Sequence, residues 1–346
     1  MNADKDVSFK VSGGTGKRRG KFNIDGSEAM HVDVWVEALA DKWFWLEYLR
    51  DNSDFKFSVK GPDEKEAKDN KKSTGCDRLF ALEKQKEIVL GTDCIFCLDS
   101  DDSFIKSLID GYKTLKKPRK HVYVTNIYAI DNAYLIDDHV DHSFRQVTTK
   151  GSQASAHPPS TFINGIATTL WNSYTGIYYL EGAGHAKQFN LSLKQANNLI
   201  EKLSKVNIDN YPDCSTYKKF IGSAAKLEKR VFTALKTIGI DHYKRFLQKL
   251  SDADINVNNF YLFIRGHNLF DATTAVYEKV NARLKKAEIA RVKADYADFE
   301  HKVTCIESSW STFPNFLITK FSAYHTSVPF LERTLTQISN DYNLSH

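Results

Sequence analysis

Two apolar runs that each stop at an acidic residue constrain the fold of this chain more than any other feature. The first run, residues 32–36, is followed directly by Glu37 and then by a helical stretch that begins at Asp41. The second run, residues 94–98, is followed by Asp99-Ser100-Asp101-Asp102. Short apolar runs with helical stretches between them are typical of the buried strands of an α/β sheet.

Both acidic clusters are expected at one edge of that sheet. The functional residues of an open α/β sheet lie at the carboxyl ends of its parallel strands. If both runs are strands of one parallel sheet, the side chains of Glu37, Asp99 and Asp101 emerge together. Carboxylate oxygens suit hard divalent cations such as Mg²⁺ and Mn²⁺. We therefore predict that these three residues hold the metal ion and form the catalytic site.

Neighbouring acidic residues have two interpretations. Asp41 and Asp102 can act in the second shell of the metal, where they orient its ligands or the following helix. Acidic residues directly behind a strand also serve as helix N-caps, and the positions of Asp41 and Asp102 suit that role equally well. The sequence leaves both interpretations open.

The alternation of strands and helices continues along the first half of the chain. Further strands are predicted at residues 55–59 and 121–125, and helices at residues 76–87 and 103–115. The first helix, residues 41–50, is expected to present an aromatic core face that includes Trp43. Alternation of this kind predicts a right-handed, mainly parallel α/β unit flanked by helices.

Composition changes divide the chain into three predicted parts. Residues 1–29 are Gly-rich and basic and suggest a flexible basic leader. Residues 30–150 carry the α/β pattern. A stretch rich in Ser, Ala, Gly and Pro at residues 151–159 marks a boundary. Beyond it, residues 160–346 predict a mostly α-helical C-terminal domain with long amphipathic stretches.

Composition also indicates the cellular setting. No apolar run approaches the roughly 20 residues of a membrane helix, and no secretory signal is expected at the N-terminus. The five cysteines are widely spaced and form no disulfide framework, so we expect a cytoplasmic protein with no membrane partner. Cys94 and Cys97 point to opposite faces of a strand, which favours a packing role over metal or redox chemistry.

Clusters of positive charge suggest a nucleic-acid partner. The formal net charge is +5, and residues 213–293 contain sixteen Lys and Arg against eight Asp and Glu. A compact basic patch shortly after the second acidic cluster is predicted to contact substrate phosphates; its alternative is an ordinary solvated face. The patch consists of Lys113, Lys116, Lys117, Arg119 and Lys120.

Two histidine-containing segments have competing interpretations. Arg265 and His267 follow an apolar run, and they are predicted either to reach the acidic site or a phosphate, or to dock the two domains. His139 and His142 lie among Asp137, Asp138 and Asp141 and resemble a ligand set. A polar helix end is the favoured interpretation of that cluster, because short motif matches are weakly specific.

Four short motifs also follow one another in a recognisable order. They are Val36-Glu37-Ala38-Leu39-Ala40-Asp41-Lys42-Trp43-Phe44-Trp45, Asp99-Ser100-Asp101, Ile130-Asp131-Asn132-Ala133-Tyr134-Leu135 and Arg265-Gly266-His267. The first resembles Val-Glu-Gly-x-x-Asp-x-x-Phe-Tyr and the third resembles Ile-Glu-Asn-Tyr-Leu. In order and spacing, from about residue 30 to residue 300, the motifs resemble a Toprim-like nuclease family of bacterial defence proteins. The nuclease effector of the PARIS anti-phage system belongs to that family.

The resemblance implies a fold, an activity and partners. The fold is a Toprim-like sheet, and the activity is Mg²⁺- or Mn²⁺-dependent hydrolysis of nucleic acid. RNA is favoured over DNA, with transfer RNA as the target of a toxic antiviral effector that an ABC-type ATPase partner controls. Asp131 stands where the family has Glu and is expected in the second shell of the metal. A homo-oligomer remains open.

One departure from the family pattern supports a rival hypothesis. Ala38 replaces the glycine that usually follows the first glutamate, and glycine permits a close backbone approach that alanine restricts. The rival is a catalytically degenerate Toprim scaffold that binds nucleic acid or a partner protein. Primase-like nucleotidyl transfer ranks last, because the sequence supplies no nucleotide-binding or zinc elements.

Overall fold

The computed structural model describes residues 21–22, 28–38, 40–62, 75–113, 119–148, 157–321 and 328–344. The described strands are β1 (Lys21–Phe22), β2 (Glu28–Trp35), β3 (Phe55–Lys60), β4 (Cys94–Leu98) and β5 (Val122–Val124). Four of them form a parallel sheet in the order β3–β2–β4–β5. Most of the segment predicted as a leader, residues 1–20 and 23–27, lies outside the description, and β1 pairs antiparallel with the start of β2.

Helices follow the strands and then dominate the second half. In the first half they are α1 (Asp41–Tyr48), α2 (Cys76–Lys84), α3 (Ser103–Ser107), α4 (Ile130–Ala133) and α5 (Asp137–Val147). In the second half they are α6 (Pro159–Gly182), α7 (Leu193–Glu201), α8 (Ser215–Ile238), α9 (Ile240–Asp252), α10 (Gly266–Asp295), α11 (Phe299–Ser309), α12 (Phe313–Thr319) and α13 (Glu332–Tyr342). None of the helices within the described ranges has an apolar stretch long enough to span a bilayer. The α/β architecture with a parallel sheet is confirmed.

Apolar side chains cover the parallel sheet on both faces, which explains why every residue of β4 is buried. Alternate residues of β4 belong to different core clusters: Phe96 packs with Leu79 of α2, and Ile95 belongs to the larger core that the other helices complete. Cys94 and Cys97 divide in the same way between the two clusters, as the two-residue period of a strand requires. Both are free thiols inside the core.

Two predicted helices differ from the observed ones. Trp43 was expected in the aromatic core face of α1, but it is 68% exposed, because the neighbouring Phe44 and Trp45 supply that face and are buried. The helix predicted over residues 103–115 ends at Ser107. A turn follows it and leads to Gly111, which adopts a left-handed conformation with φ of 81°.

One hydrophobic core joins the sheet to the helical half. It contains β-strand residues such as Val34, residues of the central helix α6 such as Ile166, and Tyr342 of α13. Gly176 lets α6 and α8 approach closely, since a Cβ at this position would lie 2.3 Å from a methyl carbon of Val231. The two halves therefore share their buried surface.

A buried amide fastens the segment before α10 to the end of the sheet. The Asn132 side chain donates to the backbone oxygens of Tyr261 (2.7 Å) and Ile264 (2.9 Å) and accepts from the Ala129 backbone N–H (3.0 Å). Next to it, the Tyr128 backbone N–H donates to the Leu262 oxygen at 2.8 Å. Asn132 is fully buried, so these bonds replace water for every group involved.

Replacing Asn132 with alanine should therefore destabilise the protein strongly. The change removes three hydrogen bonds and leaves buried backbone groups without partners, at a cost of about 1–3 kcal/mol for each group. We expect the free energy of unfolding, measured by urea titration, to fall by about 3 kcal/mol or more. The exposed Asn258→Ala is the control and should be nearly neutral. A loss below about 1 kcal/mol for Asn132→Ala would contradict this account.

Candidate functional site

The carboxyl ends of β2 and β4 bring the two predicted acidic clusters together. The strands are adjacent and parallel, with Trp35 opposite Phe96, so both chains leave the sheet at the same edge. The side chain of Glu37 reaches across, and its Oε1 accepts a hydrogen bond of 3.1 Å from the Asp99 backbone N–H. The predicted juxtaposition of Glu37 with the second acidic cluster is thus present in the structure.

The loop behind β4 holds Asp101 in an unusual backbone conformation. Its φ of 47° lies in the left-handed region, which aspartate tolerates better than most residues. The Asp101 N–H donates to the Tyr128 oxygen at 2.7 Å, and the Ser100 N–H donates to Thr125 Oγ1 at 3.2 Å. Both acceptors lie in the segment that follows β5, so this segment holds the loop and limits where the Asp101 carboxylate can lie.

A cleft of about 450 Å³ opens over this edge of the sheet. Its acidic lining residues are Glu37, Asp41, Asp99 and Asp101. Its basic lining residues are Arg78 of α2, Arg265 and His267. Negative and positive side chains therefore line one cavity. This is the arrangement expected where a phosphate group and a divalent cation are bound together.

Crowding of negative charge is visible at Asp41. Burial, together with the carboxylates of Glu37 and Asp131, raises the pKa of its carboxyl to about 6, against a hydrogen bond from the Ala38 N–H and the nearby His267. The Ala38 N–H donates to Asp41 Oδ2 at 2.9 Å, so Asp41 closes the turn that starts α1. The side chain of Asp41 thus both caps that turn and lines the cleft.

Close backbone packing brings the Arg265-Gly266-His267 segment to the cleft. A Cβ at Gly266 would lie 2.7 Å from Asn132 Oδ1 and 3.0 Å from the Cβ atoms of Ala129 and Asp131, so a larger residue would push the segment away. His267 Nδ1 forms an ion pair with Asp131 Oδ2. Both interpretations of this segment therefore apply: its backbone docks the two halves, and its side chains line the acidic site.

The cleft suits a divalent cation in its chemistry. Its acidic side chains offer only oxygen donors, which is the donor set of Mg²⁺ and Mn²⁺ sites. In the part of the chain that the structure describes, no three His, Cys, Asp or Glu side chains are already placed to share one ion. Glu37 Oε1 instead accepts from the Asp99 N–H, and Asp99 Oδ1 accepts from the Ile130 N–H, at 3.1 Å each.

Asp102 points away from the cleft. Its carboxylate pairs with Lys106 one helical turn later, and Lys106 donates 2.8 Å to Glu181 Oε2 of α6. Asp102 occupies the N-cap position of α3, although its side chain caps no backbone N–H. Asp131, the other residue predicted beside the metal, does not itself line the cleft, but it pairs with His267, which does.

The described members of the predicted basic patch do not line the cleft. Lys113, Arg119 and Lys120 are exposed, and Arg119 is engaged by both oxygens of Glu83, at 2.7 and 2.5 Å. Lys116 and Lys117 lie outside the described residues. The cations that line the cleft are Arg78, Arg265 and His267 instead.

Several residues that build the site escape sequence reasoning. Thr125, Tyr128 and Asn132 act through backbone hydrogen bonds to segments distant in sequence, which no local pattern reveals. Arg78 lies in the first turn of α2. Gly75 directly precedes that helix with φ of 64°, and a Cβ added to it would lie 3.5 Å from Glu37 Oε2. The glycine directly before a helix is the one local signal at this wall of the cleft.

One histidine of the α5 cluster belongs to the core. His139 is fully buried and bonds through Nε2 to the Leu317 oxygen at 2.9 Å. A carbonyl oxygen only accepts, so Nε2 carries the proton. Burial lowers the pKa of His139 to about 4, with a smaller effect in the same direction from His142. The segment forms the start of α5, as the favoured interpretation of a polar helix end predicts, but His139 within it is buried.

The low pKa of His139 predicts a stability loss in acid. Between about pH 6.5 and 4 the unfolded chain binds a proton that the folded chain excludes, so the free energy of unfolding falls as pH decreases. His139→Gln keeps an N–H donor without the titration. Relative to the wild type, the variant should gain about 3 kcal/mol between pH 7 and pH 4 in urea titrations. The exposed His242→Gln should run parallel to the wild type; a parallel curve for His139→Gln would refute the assignment.

Comparison with known proteins assigns no family to this chain. No protein-family model matches the sequence. No curated protein matches it either.

Proposed function

We propose that this chain is a divalent-metal-dependent phosphodiesterase that cleaves nucleic acid at the cleft beside β2 and β4. The observation that carries the proposal is the meeting of Glu37, Asp99 and Asp101 with Arg78 and Arg265 around one cavity. Carboxylates that hold a cation and arginines that hold phosphate oxygens are the two requirements of phosphodiester hydrolysis. The cavity volume of about 450 Å³ lies in the range of sites that bind small ligands.

Six charged residues of the lining have a role in this proposal. Glu37, Asp99 and Asp101 would hold Mg²⁺ or Mn²⁺, and the bound ion supplies neutralisation of phosphate charge and a more acidic water. Arg78 and Arg265 would pair with the phosphate oxygens in the planar, two-pronged manner that guanidinium groups allow. Asp41 would orient the loop that carries Glu37 through its bond to the Ala38 N–H.

The sequence resemblance extends the proposal to substrate and partner. It supports RNA over DNA as the substrate, with transfer RNA as the target of a toxic effector in antiviral defence. It also supports an ABC-type ATPase that restrains the nuclease. Both extensions rest on the motif order described above, and an ABC-type ATPase gene beside this one would support the second.

The rival proposal is a non-catalytic Toprim-like scaffold, and one observation favours it. Within the described ranges no three ligand side chains are placed to share an ion, as a scaffold would allow. The presence of Ala38 in place of glycine is weaker support for the scaffold than the sequence alone suggested. Ala38 does not adopt a positive φ, and its backbone closes the turn to Asp41 with bonds of 2.9 and 3.1 Å.

Removing one carboxylate charge should abolish metal-dependent cleavage. Asp99→Asn and Glu37→Gln keep an oxygen that can accept the bonds from the Ile130 and Asp99 backbones, so the loops should hold their shape. Each variant weakens the cation site. We expect a rate loss of at least about 100-fold on total RNA with Mg²⁺ or Mn²⁺. Without metal, the melting temperature should stay the same or rise, because the change relieves repulsion between carboxylates.

A matched control and a DNA arm make the result decisive. Asp252→Asn changes an exposed carboxylate at the end of α9 and should cleave like the wild type. Cleavage of single-stranded DNA but not RNA would overturn the substrate assignment alone. A wild type that binds RNA but cuts neither nucleic acid with either metal would favour the scaffold. Full activity of Asp99→Asn would place the catalytic site elsewhere.

A further inference from the structure

The ion pair between His267 and Asp131 is the part of the cleft that metal binding and phosphate binding leave unexplained. His267 Nδ1 contacts Asp131 Oδ2, while the imidazole side chain is 77% exposed towards solvent. Asp131 is the more enclosed partner, with 22% of its side chain exposed. A carboxylate held in the protein therefore orients a histidine that lines the cavity of the proposed active site.

This pairing determines which imidazole nitrogen is available. Nδ1 is the nitrogen in contact with the Asp131 carboxylate, which leaves Nε2 as the atom turned away from Asp131. The position of the ring is fixed from its backbone side as well. Gly266 packs on Asn132 and Asp131 too closely to admit a side chain, and Asn132 is itself bonded to the Tyr261 and Ile264 oxygens.

We propose that His267 is the general acid of the cleft, and that Asp131 is its positioning residue. The proposal rests on the phosphodiesterase function above. A water oxygen forms a bond to phosphorus and its proton passes to solvent, while the bond from phosphorus to the ester oxygen breaks. The departing oxygen takes the bonding electron pair and accepts the proton of His267 Nε2. The products are a phosphomonoester and an alcohol, and solvent returns the proton to the imidazole.

The charges around His267 support this role. The hydrogen bond to Asp131 raises the pKa of His267, and the carboxylate of Asp271 on α10 acts in the same direction. The partial loss of hydration of the ring and the charge of Arg265, two residues earlier, act in the opposite direction. The carboxylate of Asp41 in α1 also interacts electrostatically with the imidazole of His267. A raised pKa lets the imidazole keep its proton to higher pH than an ordinary histidine, and a protonated imidazole can donate to a leaving oxygen.

A comparison of two leaving groups tests the assignment. The leaving group of RNA is a ribose oxygen, which would depart as an alkoxide and therefore needs a proton. The leaving group of bis(4-nitrophenyl) phosphate is 4-nitrophenolate, a stable anion that departs without one. We expect His267→Gln to lose about 100-fold or more on RNA with Mn²⁺, in the range of general acid catalysis. On bis(4-nitrophenyl) phosphate the same variant should stay within a few-fold of the wild type. Asp99→Asn should lose both activities, and His301→Gln, on the exposed helix α11, should lose neither.

The positioning role of Asp131 has a separate readout. A general acid must be protonated, so the rate on RNA falls as pH rises through the pKa of His267. Asp131→Asn keeps the imidazole but removes the charge that raises this pKa, so the fall should move to lower pH. The rate of His267→Gln should not show this fall at high pH. A substitution that only loosened the fold would lower the rate equally at every pH.

The outcomes separate this proposal from the one beneath it. Equal losses on both substrates for His267→Gln, or no loss on RNA, would overturn the general-acid assignment and leave the phosphodiesterase intact. If the rate of Asp131→Asn on RNA falls at the same pH as that of the wild type, the role of Asp131 is overturned. If the wild type hydrolyses neither substrate with Mg²⁺ or Mn²⁺, the phosphodiesterase function is overturned and the role of His267 falls with it.

Discussion

The structure depends on the buried hydrogen bonds that Asn132 makes to the backbone before α10. Asn132 satisfies the oxygens of Tyr261 and Ile264, and the neighbouring Tyr128 N–H donates to Leu262. These groups lie about 130 residues apart in sequence, so the bonds join the sheet to the helical half. Because the Tyr128 oxygen also accepts from the Asp101 N–H, the same segment connects helical packing to the carboxylates of the cleft.

Stability and function compete at this edge of the sheet. The site gathers acidic side chains, and burial together with its acidic neighbours raises the pKa of Asp41 to about 6. The carboxylates of Glu37 and Asp99 accept backbone N–H groups, which offsets part of that repulsion. A bound cation would relieve repulsion of this kind, which is the physical argument for the metal in the proposed function; within the described residues no three ligand side chains are placed to share an ion.

Local patterns were sufficient for some of these features and insufficient for others. The apolar run at residues 94–98 predicted β4 to the residue, because a strand buried on both faces must be apolar throughout. The helix predicted over residues 103–115 was too long, since the left-handed turn at Gly111 overrides apolar spacing. Trp43 was placed in the core on hydrophobicity alone, and its exposure follows from which face of α1 meets the sheet.

The sequence by itself determined where the main strands lie along the chain, because the length and apolar pattern of a strand are local properties. The parallel pairing of β2 with β4, which brings Glu37 and Asp99 to one edge, joins distant segments and was decided by the tertiary structure. Only the tertiary structure decided which other side chains join them. His267 and Arg265 reach the cleft because Gly266 packs on Asn132 and Asp131, a contact between distant segments. Asp102 turns instead to Lys106, whose other partner is Glu181 of α6. Such choices depend on packing between elements that no local stretch of sequence encodes.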